Sequence, residues 1–234
     1  MRFRVLALIF AGLLLAGFGY LAYRLTRRTV PANRTKNLVF DVGKVILKNP
    51  WNMREGKGGA HHRQVFKGIR SSCARKLWFE GYLTADKMTE ILSKAGAEGV
   101  IEFTHQDVVD AVASFLLSRV PNPETMAIIE QLKTKGYRLY ILSNSAREVY
   151  NRFVGPNPFF KKFDGLFFSF DAGSVKPEPK IYEKFFNQFG LVPGECLFID
   201  DKPKNIEASE QAGMPGIVYV PGKLEAELVR RGVL

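Results

Sequence analysis

Cysteine is nearly missing from this chain: 234 residues contain two, Cys73 and Cys196, far apart. Cys196 opens an apolar run. A disulfide framework is therefore not expected, and a reducing compartment is. No segment repeats with a period of about 20–50 residues, which argues against solenoids and propellers. Histidine is scarce, at three residues. His61 and His62 lie in a Gly-rich loop without cysteine or acid neighbours, a poor setting for zinc. Acids are absent from residues 24–36, which carry Arg24, Arg27, Arg28, Arg34 and Lys36. Over residues 44–76, Glu55 stands alone against nine Lys or Arg. The net charge is +11. This excess reads as a solvated face and a juxtamembrane collar, or as a surface that attracts phosphorylated small molecules and anionic lipid. No nucleic-acid-binding motif accompanies it, so no nucleic-acid partner is expected.

Residues 5–23 form a run of 19 without a charge, ending near Tyr20 and Tyr23. As a helix this run is about 28 Å long, close to the hydrocarbon thickness of a bilayer. An uncleaved anchor is expected rather than a signal peptide, because Arg24, Leu25, Thr26 and Arg27 make a poor cleavage site. The basic excess after the run places the rest of the chain on the cytoplasmic side as a single-pass protein. Secretion to the outside or the periplasm after cleavage is the alternative.

Beyond residue 36, strand and helix patterns alternate. Residues 37–42 (NLVFDV), 137–143, 165–170, 195–200 and 216–220 are short apolar runs typical of buried parallel strands. Helical patterns cover 123–135, 179–188 and 205–212, the last stopping before Gly213. The order predicts an α/β fold with a doubly wound parallel sheet. Residues 51–120 break the alternation with a basic, Gly-rich loop and then helices, one starting at Thr84 and one over 105–117. They read as a helical insertion directly after the first strand.

In such sheets, ligands bind beyond the carboxyl ends of the strands. Four polar clusters fall there: Asp41-Val42-Gly43, Ser143-Asn144, Lys176-Pro177 and Asp200-Asp201. Each alone is an ordinary turn or helix cap. Together they supply what phosphoryl transfer requires: a nucleophile, charge neutralisation and positioning. Asp41 fits a carboxylate nucleophile. Asp41, Asp200, Asp201 and the Gly43 carbonyl offer oxygen ligands to Mg²⁺. Lys176 and Ser143 fit a phosphate cradle.

FDVGKVI, ILSN, SVKPEPKIY and FIDDKPKNIEA resemble, in order, the four motifs of the haloacid dehalogenase-like hydrolases. The wording is most similar to sugar-1-phosphate phosphatases and the phosphatase domain of epoxide hydrolases. The resemblance implies a Rossmann-like core over 37–50 and 121–234, a helical cap over 51–120, and an anchor with basic linker over 1–36. It implies hydrolysis of small phosphate esters with Mg²⁺ through an aspartyl-phosphate. Asp41 is then the nucleophile. Ser143 and the Asn144 backbone bind phosphate. Lys176 binds phosphate and steadies Asp41. Asp200 and Asp201 hold Mg²⁺, and Asn205 orients their loop. One position departs: Gly43 stands where many such phosphatases carry a second Asp as general acid and base. Two other readings stay open, a catalytically weakened fold kept as a membrane-tethered binding protein, and a metal-independent dehalogenase.

Overall fold

The apolar runs become the strands of one parallel sheet. The computed structural model describes residues 35–48, 73–82 and 119–234, with scattered positions between 84 and 106. β1 (Asn37–Phe40) is wholly buried. β2 (Leu47–Lys48) and β3 (Val120–Pro121) form a separate antiparallel pair. β4 (Arg138–Ser143) and β6 (Cys196–Asp200) flank β1 on either side, both parallel to it. β5 (Gly165–Phe168) extends the sheet beyond β4, and β7 (Gly216–Val218) beyond β6. The order is β5-β4-β1-β6-β7.

Both faces of this sheet are covered, which explains why its strands are apolar throughout rather than alternating. Leu38, Phe40, Leu139, Ile141, Leu197 and Ile199 share one cluster with Ile128, Ile129 and Leu132 of α2 (Pro123–Thr134). Leu224 and Leu228 of α7 (Leu224–Arg230) join them. Val39, Tyr140, Leu142 and Phe198 face the other way, onto Ile181, Tyr182 and Phe185 of α5 (Pro179–Phe189) and Ile206 of α6 (Pro203–Gln211). Each large side chain buried here contributes about 1.5–3 kcal/mol. Pro179 starts α5, and Gly190, at φ 60°, ends it in the left-handed conformation. α6 begins two residues earlier than its apolar pattern suggests, because Pro203 supplies a preset first turn.

The expected strand over 165–170 stops at Phe168, and Ser169–Ala172 turns into a short helix, α4. Ser169 is the reason. Its hydroxyl donates to the Phe79 carbonyl at 2.6 Å and accepts from the Ser145 amide at 3.1 Å. These bonds serve the loops at the sheet edge, not the ladder.

The insertion leaves and returns at one place. Leu47 faces Pro121 and Lys48 faces Val120 across the β2–β3 pair. Below it, the Asn122 side-chain amide donates to the Val45 carbonyl at 2.8 Å and to the Tyr219 hydroxyl at 2.7 Å. α1 (Cys73–Phe79) docks on the core, where the Trp78 indole donates to Glu148 of the short α3 (Arg147–Val149) at 2.9 Å. Gly81 comes next at φ 82°, and a Cβ there would sit 2.6 Å from the Phe170 carbonyl, so only glycine permits this approach. The hydroxyl of Thr84 accepts from the Lys87 amide at 3.2 Å, at the expected helix start. Most of the expected helix over 105–117 lies outside the described residues, as do His61, His62, Arg63 and Arg70. So does the apolar run 5–23. No helix among the described residues is long and apolar enough to cross a membrane.

Candidate active site

The chain leaves β1 in both directions, to β4 and β5 on one side and to β6 and β7 on the other. Such a switch point opens a crevice at the carboxyl ends of the central strands. Asp41 is the first residue past β1, and its amide still donates to the Ile199 carbonyl at 2.9 Å. Asp200 ends β6, and Asp201 begins the next loop. One carboxylate oxygen from each of Asp41, Asp200 and Asp201 lies within 4.8 Å of the others. Asp41 and Asp200 are buried, and Asp201 is partly exposed.

Three like charges this close need counter-ions. Lys176 is the first. Its ammonium is fully buried and donates to Asp41 Oδ1 at 2.9 Å, Asp200 Oδ2 at 2.7 Å and the Leu142 carbonyl at 2.7 Å. An ammonium has three donors, and all three are used. Burial alone would lower the Lys176 pKa, but the charges of Asp200 and Asp41 outweigh it, and the net shift is upward. For Asp200, burial works to raise the pKa. The Lys176 ammonium, the Asn205 side-chain amide and the Lys202 backbone amide outweigh it, and the net shift is downward. For Asp41, burial dominates and the pKa is raised, with the charge of Asp200 adding to the rise. Lys176, Lys202 and Ser143 pull against that rise without reversing it.

The two oxygens of Asp41 differ. Oδ1 accepts from Lys176 and, at 2.7 Å, from the Ser143 hydroxyl. Oδ2 carries no hydrogen bond among the described residues and faces Gly43, where an added Cβ would lie 3.8 Å away. One oxygen is clamped and the other is presented. Asp200 is more committed. Its Oδ2 accepts from Lys176 and, at 2.8 Å, from Asn205, while Oδ1 accepts the Lys202 amide at 2.8 Å. The donor set is all oxygen and holds three carboxylates, which suits a hard divalent cation such as Mg²⁺. Asp200 has at most one lone-pair direction left for it, on Oδ1.

The sequence-predicted residues thus come together. The Asn144 side chain is turned to the Lys176 loop. It accepts from the Lys176 amide at 2.8 Å and donates to the Lys176 carbonyl at 2.9 Å. Ser143 serves Asp41 directly. Gly43 sits in the turn after β1, bridged to Leu47. Three contributors were not singled out by motif reasoning. Lys44 approaches Asp201 Oδ2 at 3.4 Å. Lys202 acts on Asp41 by its charge. Glu178 braces the Lys176 loop, accepting from the Ser174 hydroxyl at 2.8 Å and the Val175 amide at 3.3 Å while pairing with Lys76 at 2.7 Å. The acid inside KPEP was a legible signal for the last.

The chain is similar to known proteins. Residues 27–213 match the haloacid dehalogenase-like hydrolase family. D-ribitol-5-phosphate phosphatase of Bacteroides thetaiotaomicron is 31% identical over 76% of this chain and 88% of its own. A sesquiterpene phosphatase of Aspergillus oryzae is 28% identical over 42% of this chain. The chain spans about half the length of that relative, 50%. A HAD family enzyme of B. thetaiotaomicron, solved with magnesium and inorganic phosphate, superposes with a TM-score of 0.61 at 19% identity, covering 84% of this chain and 99% of that one. A buried Asp beyond the central strand, faced by a buried Lys and two further Asp on the same crevice, and a match over most of the chain, lead to one statement: the chain belongs to the haloacid dehalogenase-like hydrolases.

Proposed function

We propose that the protein hydrolyses small phosphate esters, including sugar phosphates, with Mg²⁺ and through an aspartyl-phosphate on Asp41. One observation carries this reading. Asp41 has one oxygen fixed by Ser143 and Lys176 and one without a hydrogen bond among the described residues, inside a cluster of three carboxylates. The Oδ2 lone pair forms the bond to phosphorus as the ester P–O bond breaks, and water then cleaves the acyl phosphate. Lys176 holds Oδ1 still, so that attack comes from Oδ2. Ser143 and the Asn144 backbone receive the phosphoryl oxygens. Asp41, Asp200, Asp201 and the Gly43 carbonyl would hold Mg²⁺, which when bound neutralises charge on those oxygens. Asn205 and the Lys202 amide fix Asp200 for that task. The phosphatase relative acting on a pentitol phosphate supports a small phosphorylated metabolite as substrate. Residues 5–23 anchor the protein in the membrane with its core on the cytoplasmic side, and residues 51–120 form the cap.

Phosphate release by the full-length chain in detergent, across a panel of phosphorylated metabolites, tests the reading. Release is expected with Mg²⁺ and its loss on chelation. A folded chain with no Mg²⁺-dependent release on any ester refutes it and favours a tethered binding protein.

Gly43 gives a further expected result. An added Cβ meets nothing closer than Asp41 Oδ2 at 3.8 Å, and the residue is not in the left-handed region. A Cβ at residue 43 therefore fits without backbone strain. A general acid contributes roughly 10²–10⁴-fold. Gly43→Asp should speed hydrolysis of esters with poor leaving groups by about tenfold or more, and of aryl phosphates much less. An equal or lower rate on both, in a folded variant, means protons are already handled elsewhere.

A further inference from the structure

Lys44 is the one non-glycine residue with positive φ among the described residues, at 64°. A left-handed lysine costs roughly 1 kcal/mol, and such strain gathers at functional sites. The turn enforces it: the Lys44 amide donates to the Leu47 carbonyl at 2.8 Å, and the Ile46 and Leu47 amides both return to the Val42 carbonyl, at 3.1 Å and 2.8 Å. Lys44, three residues after Asp41 in the same loop, thereby turns its side chain to Asp201 in the loop after β6.

Its contact there is unlike that of Lys176. Lys176 is fully buried with three short bonds, whereas Lys44 is 68% exposed and stands 3.4 Å from Asp201 Oδ2. Its ammonium has no other partner among the described residues, which leaves donors for a molecule arriving from solvent. Residue 43 adds no side chain between Lys44 and the Asp41 carboxylate. The basic run over 44–76 extends the same sign of charge into the insertion.

We infer that Lys44 binds a second anionic group of the substrate, so that the preferred esters carry a carboxylate or further phosphate close to the scissile phosphoryl group. This rests on the phosphatase reading and adds the substrate class. An ordinary surface lysine pairs with an acid from unstrained backbone. Here the left-handed turn starts the side chain toward the rim of the carboxylate cluster, and the ammonium stands 3.4 Å from Asp201 where Gly43 supplies no acid to the leaving group. A charged group on the substrate, held by Lys44, would orient it.

The test is a matched pair of non-hydrolysable probes, benzylphosphonate and 3-(phosphonomethyl)benzoate, titrated calorimetrically into the full-length chain at saturating Mg²⁺. The chain is expected to prefer the carboxylated probe by about tenfold, roughly 1.4 kcal/mol. Lys44→Gln should bring the ratio near one, and Lys44→Arg should keep it. No preference in the unmodified chain, a preference that survives Lys44→Gln, or binding of neither probe overturns the inference. Preference without turnover of any ester leaves the anion contact standing and removes the phosphatase reading alone.

Discussion

Asp41→Asn is expected to lower phosphate-ester turnover by about 10⁴-fold or more, the scale on which loss of a nucleophile is felt. The fold should persist, and the geometry explains why. The Asn side-chain carbonyl can take the place of Oδ1 and accept from both Ser143 and Lys176. The amide then occupies the Oδ2 position, where no donor competes for it. Both donors to Oδ1 keep an acceptor, and the charge that is lost is one that burial disfavours, so the cost in stability is small, about 1 kcal/mol or less. The attacking lone pair is gone, however, because an amide nitrogen is no nucleophile. Steady-state phosphate release and thermal unfolding, measured on one preparation, check both halves. Turnover within tenfold of the parent chain would place the nucleophile elsewhere.

Lys176→Met is the second large effect, and it falls on stability as well as rate. Methionine matches the lysine stem but leaves Asp41 and Asp200 facing one another without an ammonium. Removing one partner of a buried charge group costs about 3–5 kcal/mol. The shifts fix the sign of its pH dependence. The raised Lys176 pKa gives stability that is complete below the unfolded value of 10.5 and lost as pH rises through the folded one. The lowered Asp200 pKa gives stability present above 3.8 and lost as pH falls through its folded value. These two groups support the parent chain across the middle of the pH range, while Asp41, whose pKa is raised, works against them there. The variant reverses the acid side, because unpaired Asp41 and Asp200 favour a proton, and it should recover part of its loss on mild acidification. Urea unfolding in a chelator at neutral and mildly acid pH reads this directly. A neutral-pH loss below about 1 kcal/mol, or no change with pH, would mean the ammonium does not hold the cluster together.

Much of this site was legible because its parts end apolar runs. Asp41 follows β1 and Asp200 ends β6, two strands with no other acid, and a buried parallel strand forces that pattern. Lys176 was legible from its motif alone, since it lies in a loop. What the sequence hid were contacts between loops. Asn144 spends its side chain on the Lys176 backbone, and Glu178 spends its own on Ser174 and Val175. Neither choice is visible until the loops are brought together. Ser169 ends its strand for a similar reason, a bond to Phe79 ninety residues earlier. The two-residue strands β2 and β3 are too short to show alternation. The left-handed turn at Lys44 goes against residue preference, so no pattern announces it.

The β2–β3 pair has a consequence for how this protein can be varied. Lys48 and Val120 are direct cross-strand neighbours, so the chain leaves and re-enters the core one strand spacing apart. The parallel sheet closes its ladder of β1, β4 and β6 without using the segment between them. Changes of length in that segment outside α1 can therefore be absorbed without moving Asp41, whereas α1 must stay, because Trp78 and Phe79 bond to Glu148 and Ser169 of the core.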